Sequence, residues 1–229
     1  MEKDNISIGE AEALISGAMT ANGVPDAVAS SVASALVAAE AEGQVGHGFS
    51  RLADYIAQFR SGKVNQGAEP QCQVTGDTAF LIDAQNGFAF PALDMAIERG
   101  IEAAENHGSA TLSITRSHHC GALAGQVEKL ANAGLVGMMV ANTPSAIAPW
   151  GSKTPLFGTN PIAFAAPRLD GPPLVIDLSL SRVARGKVMN AKKSGQEIPL
   201  GWALDSEGQP TTDPEAALGG SMVPIGEAK

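Results

Sequence analysis

The spacing of apolar residues changes near residue 70, and this change restricts the folds that the chain can adopt. Up to residue 62, apolar side chains recur at intervals of three and four residues, most clearly at positions 52, 55, 56 and 59. This period is typical of amphipathic helices. We therefore expect three helices there, the first beginning at a capping box of Ser7 and Glu10 and the others following Gly23 and Gly43.

From residue 71 onward, strand patterns alternate with helix patterns. Residues 71–77 and 79–83 predict two strands around a turn at Gly76-Asp77, and the apolar run 136–141 predicts a buried strand. Further strands are predicted at 110–115, 162–166 and 174–178, and helices at 91–106 and 122–133. We therefore predict an α/β fold, with a helical N-terminal region at 1–70 and a mixed-sheet α/β domain at 71–229.

Composition and charge exclude several classes of protein. The 229 residues are 44% hydrophobic and 17% charged, which is typical of a globular protein and not of a disordered one. The net charge is -9 and no basic patch interrupts it, which argues against a nucleic-acid partner. The polar N-terminal sequence argues against a secretory signal peptide, and the lack of long apolar runs argues against a membrane partner. Two cysteines without an export signal predict reduced thiols in the cytoplasm.

Two histidines lie in glycine-containing loops directly before predicted helices. The first, His47, stands in the segment Gly46-His47-Gly48-Phe49-Ser50-Arg51, four residues before Arg51. A histidine exchanges a proton near neutral pH, and an arginine holds a carboxylate through two hydrogen bonds. The pair predicts proton chemistry on an oxo or hydroxy acid. A solvated loop histidine beside a surface arginine is the alternative interpretation.

The second histidine, His119, follows a predicted strand in Ser117-His118-His119-Cys120-Gly121. The carboxyl end of a strand is a usual ligand position in α/β folds. A metal site built from His47, His118, His119 and Cys120 is an alternative, but adjacent residues diverge and no HxH, HExxH or CxxC spacing occurs. A nucleophilic pair of Cys120 and His119 is weaker still, since neighbours in sequence are seldom aligned for proton transfer. We predict no metal site.

The loop between residues 142 and 161 is rich in proline and glycine and ends in Gly158-Thr159-Asn160-Pro161. It is either a plain connector or a rigid wall beside a ligand, whose amides and Thr159 hydroxyl can contact a phosphate or carboxylate. Neither GxGxxG nor GxxxxGK[ST] occurs in the chain. The Rossmann fingerprint and the P-loop are therefore both absent.

Five ordered motifs resemble those of the malate/L-lactate dehydrogenase family of NAD(P)-dependent oxidoreductases. They are Gly46-His47-Gly48-Phe49-Ser50-Arg51-Leu52, Ser117-His118-His119-Cys120-Gly121, Phe157-Gly158-Thr159-Asn160-Pro161-Ile162-Ala163, Val175-Ile176-Asp177-Leu178-Ser179-Leu180-Ser181, and Ile198-Pro199-Leu200-Gly201-Trp202-Ala203 with Pro210-Thr211-Thr212-Asp213-Pro214. The resemblance covers essentially the whole chain. It implies a non-Rossmann cofactor-binding domain, NAD or NADP as cofactor, a small 2-oxo or 2-hydroxy acid as substrate, and a homodimer.

The resemblance also implies a role for individual residues. His47 and His119 match histidines that act as acid/base or substrate-orienting groups, and Arg51 and Thr159 match substrate contacts. The positions that match cofactor contacts are His119, Cys120, Gly121, Ala122, Leu123, Thr143, Asp177, Leu178, Ser179 and Lys229.

Two departures bear on the branch of the family. Imine reductases of the family carry a serine where this chain has Gly46 and tend to carry an aspartate where it has Lys187. Both differences favour a 2-hydroxy acid, and the segment 178–186 resembles the (R)-sulfolactate dehydrogenase branch most. Family members continue beyond a glycine-rich loop like the one that ends at Lys229, so we expect the chain to be truncated at its C-terminus.

The sequence thus predicts a dehydrogenase that interconverts a small 2-hydroxy acid and its 2-oxo acid. Either His119 or His47 exchanges the proton, with a pKa near neutrality that suits both directions. Arg51 holds the substrate carboxylate. Two alternatives stay open: a metal-dependent hydrolase or lyase built on His47, His118 and His119, and a truncated binding protein with impaired catalysis.

Overall fold

The structure is a computed structural model that describes residues 5–226, and these residues form two compact units. The first unit runs to Gly137 and also contains Ala165–Leu174. The second consists of Met138–Phe164 and the residues from Val175 onward. The boundary predicted at residue 70 falls inside the first unit, because the N-terminal helices pack against the α/β elements that follow them.

The first unit contains every helix and strand predicted up to residue 133. Its elements are α1 (Ile8–Thr20), α2 (Asp26–Ala41), α3 (Leu52–Arg60), β1 (Gln71–Gly76), β2 (Ala79–Asp83), α4 (Ala89–His107), β3 (Thr111–Thr115) and α5 (Ala124–Asn132). The capping box is confirmed: the Glu10 N–H donates to Ser7 Oγ at 3.3 Å, and the Ser7 N–H donates to Glu10 Oε2 at 3.0 Å.

Strands β1, β2 and β3 form one mixed sheet in that order, and the predicted pairing of the first two strands is confirmed. Strand β1 is antiparallel to β2, and β2 is parallel to β3. Helix α4 connects the parallel pair and packs Ala92 and Ala96 against Ile82. Because β2 and β3 run in the same direction, their carboxyl ends lie at one edge of the sheet, where ligands bind in α/β folds.

The two loops that leave this edge are hydrogen-bonded to each other. The Asn86 N–H donates to the Arg116 carbonyl at 2.6 Å, and the His118 N–H donates to the Gly87 carbonyl at 3.0 Å. The Arg116 guanidinium pairs with Asp83 at the end of β2 and lowers the pKa of that carboxyl. Asn86 and Arg116 have φ of 60° and 52°, values that a non-glycine residue keeps only when its surroundings hold it. These bonds fix the backbone of the double-histidine segment.

A second anchor fixes the loop between α2 and α3, which carries His47. Glu40, near the end of α2, accepts a hydrogen bond from the Phe49 N–H at 2.8 Å. Gly48 lies directly against Glu40, so that a Cβ built on Gly48 would stand 2.9 Å from Glu40 Cβ and 3.0 Å from Glu40 Cα. Only glycine fits this approach without displacing the loop.

The second unit holds the remaining elements. They are β4 (Gly137–Val140), β5 (Ile162–Ala166), β6 (Leu174–Leu178), α6 (Arg185–Ser194), β7 (Ala203–Leu204), β8 (Pro210–Thr211), α7 (Pro214–Gly219) and β9 (Ser221–Met222). Four residues at the ends of these strands belong to the first unit: Gly137 of β4, Ala165 and Ala166 of β5, and Leu174 of β6. The sheets have the orders β4-β5-β6 and β8-β7-β9. A core that includes Ile147, Val188, Ile198 and Met222 packs beneath α6 and α7. No described helix is long and apolar enough to cross a membrane.

The prediction that residues 136–141 form a buried strand is right about the strand and wrong about its burial. Met138 and Val140 on β4 are 67% and 64% exposed, whereas Gly137 is buried. An uninterrupted apolar run indicates a strand but cannot show that both of its faces are covered.

We predict that Gly48→Ala destabilises the protein and moves the His47 loop. The new methyl group collides with the backbone of Glu40, so the free energy of unfolding should fall by about 1–3 kcal/mol, as for other overpacked sites. Urea unfolding measures this change. Gly46→Ala is the matched control, because nothing lies within 4 Å of a Cβ at Gly46. Equal stability of the two variants would contradict the anchor.

Candidate active site

Three predicted site residues, His47, Arg51 and His119, meet in the first unit. The rings of His47 and His119 stack with their centroids 5.6 Å apart and their planes 10° from parallel. Arg51 Nε donates to the Gly46 carbonyl at 2.6 Å, which ties the arginine to the same loop as His47. The Arg51 charge is close enough to His119 to lower the pKa of that histidine. The motifs that contain His47 and His119, two residues 72 positions apart in the sequence, therefore build one cluster.

His119 is held by two partners on the same ring nitrogen. The Tyr55 hydroxyl lies 2.6 Å from His119 Nδ1, and the Gly121 N–H donates to Nδ1 at 3.4 Å. Burial, followed by the positive charges of Arg51 and His47, lowers the pKa of His119 to about 3. The expected pKa near neutrality is therefore wrong for His119 in this structure, because a charged ring would be both desolvated and repelled.

Tyr55 determines which nitrogen of His119 carries the proton. It is 1% exposed, and burial raises its pKa, so the phenol stays protonated at neutral pH. A phenol O–H and a backbone N–H that both point at Nδ1 require that nitrogen to be the acceptor. The proton of the neutral ring therefore sits on Nε2.

Sequence reasoning placed Tyr55 only as an apolar position of α3. The sequence did contain a signal for the role of Tyr55, because this single tyrosine of the chain takes a core position of an amphipathic helix. A buried tyrosine hydroxyl usually needs a hydrogen-bond partner.

His118 points away from this chemistry and packs as a structural residue. Its Nε2 lies 2.5 Å from Gln58 Oε1, and because that oxygen only accepts, Nε2 is the donor. The ring packs edge-on against Tyr55 and Phe88. Its Nδ1 is buried and has no partner within residues 5–226, and burial lowers its pKa. In the same range no group of three His, Cys, Asp or Glu side chains is placed to hold a metal ion, so nothing in the geometry supports the metal alternative.

The cluster is positively charged, whereas the chain as a whole is negatively charged. The charged groups that shift the pKa of His118 and His119 are cationic: Arg51 acts on both, Lys63 on His118, and His47 on His119. The chain as a whole carries a net charge of -9. A positive site on a negative protein attracts and stabilises a small anion.

In the second unit, Thr143 and Thr159 lie together, as part of one polar network. Thr143 Oγ1 accepts the Thr159 N–H at 2.8 Å and the Asn160 N–H at 3.4 Å. Asn160 Oδ1 accepts the Thr143 N–H at 3.0 Å, and the two threonine hydroxyl oxygens are 3.1 Å apart. A Cβ on Gly158 would collide with Thr143, so glycine is required where the two segments touch.

The serine at the end of β6 supports the same threonine. The Thr159 carbonyl accepts the Leu180 N–H at 2.7 Å and lies 3.5 Å from Ser179 Oγ. Ser179 Oγ is also 2.5 Å from Ser181 Oγ. Asp177 is half-buried and Leu178 is 37% exposed on β6. The role of Asp177, Leu178 and Ser179 as cofactor contacts stays a prediction, and Lys229 lies outside the described residues.

The segment Cys120-Gly121-Ala122-Leu123 leads directly into α5, which begins without a side-chain cap. The dipole at the start of a helix favours an anionic group. Gly121 has a φ of 68°, a conformation that glycine adopts readily. The assignment of this segment to the cofactor stays a prediction.

The chain is similar to known proteins over most of its length. The profile of the malate/L-lactate dehydrogenase family matches residues 6–229. A (2R)-3-sulfolactate dehydrogenase (NADP(+)) of Chromohalobacter salexigens is 55% identical over 98% of this chain and 67% of its own length. A Δ1-pyrroline-2-carboxylate/Δ1-piperideine-2-carboxylate reductase of Pseudomonas putida is 40% identical over 96% of this chain and 65% of its own.

Solved structures show the same fold. The Δ1-piperideine-2-carboxylate reductase of Pseudomonas syringae superimposes with a TM-score of 0.93 at 38% identity, over 98% of this chain and 68% of that one. Sulfolactate dehydrogenase from Methanocaldococcus jannaschii gives 0.86 at 30% identity, over 96% and 64%. The chain spans about two thirds of the length of the relatives it matches. The α/β fold class is confirmed, and the chain belongs to the malate/L-lactate dehydrogenase family.

Proposed function

We propose that this protein is an NAD(P)-dependent oxidoreductase that interconverts a small 2-hydroxy acid and its 2-oxo acid. The observation that carries the proposal is the positive charge of Arg51 and His47 beside the half-buried, neutral imidazole of His119. Such a site pairs positive charge for a carboxylate with a ring that can hydrogen-bond to the reacting oxygen.

The substrate that we propose first is 3-sulfolactate, with 3-sulfopyruvate as its oxidised form. Support comes from the sulfolactate dehydrogenase relative at 55% identity, whose name also gives NADP(+) as its cofactor. The sulfonate group of 3-sulfolactate carries a permanent negative charge in addition to the charge of the carboxylate. A substrate with two negative charges suits a site with more than one cation. We extend to this protein the expectation of a cytoplasmic homodimer. Within residues 5–226, Cys72 and Cys120 form no disulfide bond, which is consistent with a reducing compartment.

Arg51 binds the substrate carboxylate in this proposal. Its Nε donates to the Gly46 carbonyl. The Nη groups of a planar guanidinium can bind a carboxylate. Because the same residue anchors the His47 loop, a bound carboxylate is held at a fixed distance from the imidazole rings, which supplies the positioning part of catalysis.

His119 is the group that exchanges a proton with the oxygen on C2. The nicotinamide, when bound, supplies or accepts the hydride. A carboxylate beside Arg51 offsets the positive charges that depress the pKa of His119, so the substrate itself raises that pKa toward neutrality. We assign this role to His119 and not to His47, because Tyr55 and Gly121 fix the ring of His119. The Tyr55 hydroxyl can turn from donor to acceptor when Nδ1 gains a proton.

We predict that His119 is neutral between pH 5 and 8 in the free protein, with Nδ1 unprotonated and Nε2 protonated, on the ground of its pKa of about 3. Nitrogen-15 NMR of labelled histidine distinguishes these forms. In Tyr55→Phe the fixed tautomer should give way to a mixture, because a donor to Nδ1 is lost. Detection of an imidazolium at pH 7, or an unchanged tautomer in Tyr55→Phe, would contradict the assignment.

We predict that Arg51→Ala raises KM for 3-sulfopyruvate with NADPH by about 10- to 100-fold, the factor expected for loss of a charge-assisted hydrogen bond. Steady-state kinetics measure this, and Arg51→Lys should recover part of the loss. Arg60→Ala is the control, since Arg60 is an exposed arginine at the end of α3, the helix that Arg51 directly precedes. An unchanged KM in Arg51→Ala removes it from the substrate site, and a wild-type protein that reduces no 2-oxo acid defeats the proposed function.

A further inference from the structure

The direction of one hydrogen bond in the second unit can be worked out from the number of donors and acceptors. A threonine hydroxyl has one proton to donate and two lone pairs to accept with. Thr143 Oγ1 already accepts two backbone N–H groups, those of Thr159 and Asn160. Both of its lone pairs are therefore occupied, so its own proton must be donated elsewhere.

Thr159 Oγ1 is the acceptor for that proton, at 3.1 Å. If the bond ran the other way, Thr143 Oγ1 would receive three donors and leave its own proton unused. The Thr159 hydroxyl therefore accepts from Thr143, and its proton points toward an acceptor other than Thr143. The side chain is half-buried, so this donor is partly withdrawn from bulk water.

The network around Thr159 leaves its hydroxyl little freedom to move. Its N–H is bound to Thr143 Oγ1, and its carbonyl accepts the Leu180 N–H at 2.7 Å. Asn160 next to it has a φ of 31° and binds the Thr143 N–H through its side chain. Because two neighbouring segments hold the Thr159 hydroxyl in place, this donor does not have to be ordered when a ligand binds.

We propose that Thr143 is a positioning residue that holds the Thr159 hydroxyl as a dedicated hydrogen-bond donor, and that the ligand atom at Thr159 is an acceptor oxygen, such as one of a carboxylate. The proposal rests on the proposed function only for the choice of ligand. The sequence-based expectation that Thr143 itself contacts the cofactor gives a different result in the test below.

The test is a double-mutant cycle of Thr143→Val and Thr159→Val, with Thr143→Ser as the conservative variant. Three quantities are measured in the full chain: the Kd of oxalate by calorimetry, the Kd of NADPH by nicotinamide fluorescence, and KM and kcat for 3-sulfopyruvate. Thermal unfolding shows that each variant is folded. Should Thr143→Val not fold, Thr143→Ser and Thr159→Val still test the donor, because Thr159→Val keeps both N–H bonds to Thr143.

We expect Thr143→Val and Thr159→Val each to weaken oxalate binding by about 5- to 10-fold, the effect of one neutral hydrogen bond. The double variant should be no weaker than Thr159→Val alone, because the two residues act through one hydroxyl. Thr143→Ser should bind within about twofold of the wild type, since it keeps the donor. KM should change with the Kd of oxalate, while kcat changes little.

Several results would overturn the proposal. They are unchanged oxalate binding in Thr159→Val, multiplicative losses in the double variant, and a loss in Thr143→Ser as large as in Thr143→Val. Weakened NADPH binding with unchanged oxalate binding in Thr143→Val would instead make Thr143 a direct cofactor contact. If the wild type binds oxalate normally but does not turn over a 2-oxo acid, only the proposed function is contradicted. The double-mutant cycle measured by oxalate binding still tests the role of Thr143.

Discussion

A partly buried hydrogen bond between the Tyr55 hydroxyl and His119 Nδ1 is the contact on which the candidate site depends. It joins helix α3 to the loop after β3 and fixes the ring, the tautomer and the neutral state of one histidine. The stacked His47 and the nearby Arg51 add positive charge that opposes protonation of that ring. A neutral imidazole among cations is unfavourable for a proton and favourable for an anion. The substrate is thus expected to supply the charge that the site lacks.

The framework of the first unit keeps these groups in place with two sets of hydrogen bonds. One set of bonds joins the loops after β2 and β3, and Glu40 holds the backbone of the His47 loop. Each set requires an unusual local backbone, with positive φ at Asn86 and Arg116 and no room for a side chain at Gly48. Strain of this kind is typical of functional sites, where surrounding contacts hold a residue in a less favoured conformation.

The sequence predicted much of this arrangement, for reasons that can be traced to particular residues. Strong apolar periods located α1 to α5 and the first six strands, and the loop motifs identified His47, Arg51, His119 and Thr159. Helices α6 and α7 and strands β7 to β9 were missed. Helix α7 and strands β7 to β9 are short, and α6 buries only Val188, so these elements have little periodic signal. The partners that tune the site were also missed, because the pairing of Tyr55 with His119 spans 64 positions and depends on the tertiary fold.

The charge of His119 tests this account most directly. Its pKa should be followed by nitrogen-15 NMR from pH 2.5 to pH 8, without and with saturating oxalate. The account predicts a value of about 3 in the free protein and an increase of at least about one pH unit with the dianion, as expected when an opposite charge comes within a few ångströms. A pKa of His119 near 6.5 in the free protein, or no change in this pKa on binding oxalate, would contradict the claim that the cationic cluster binds an anionic substrate.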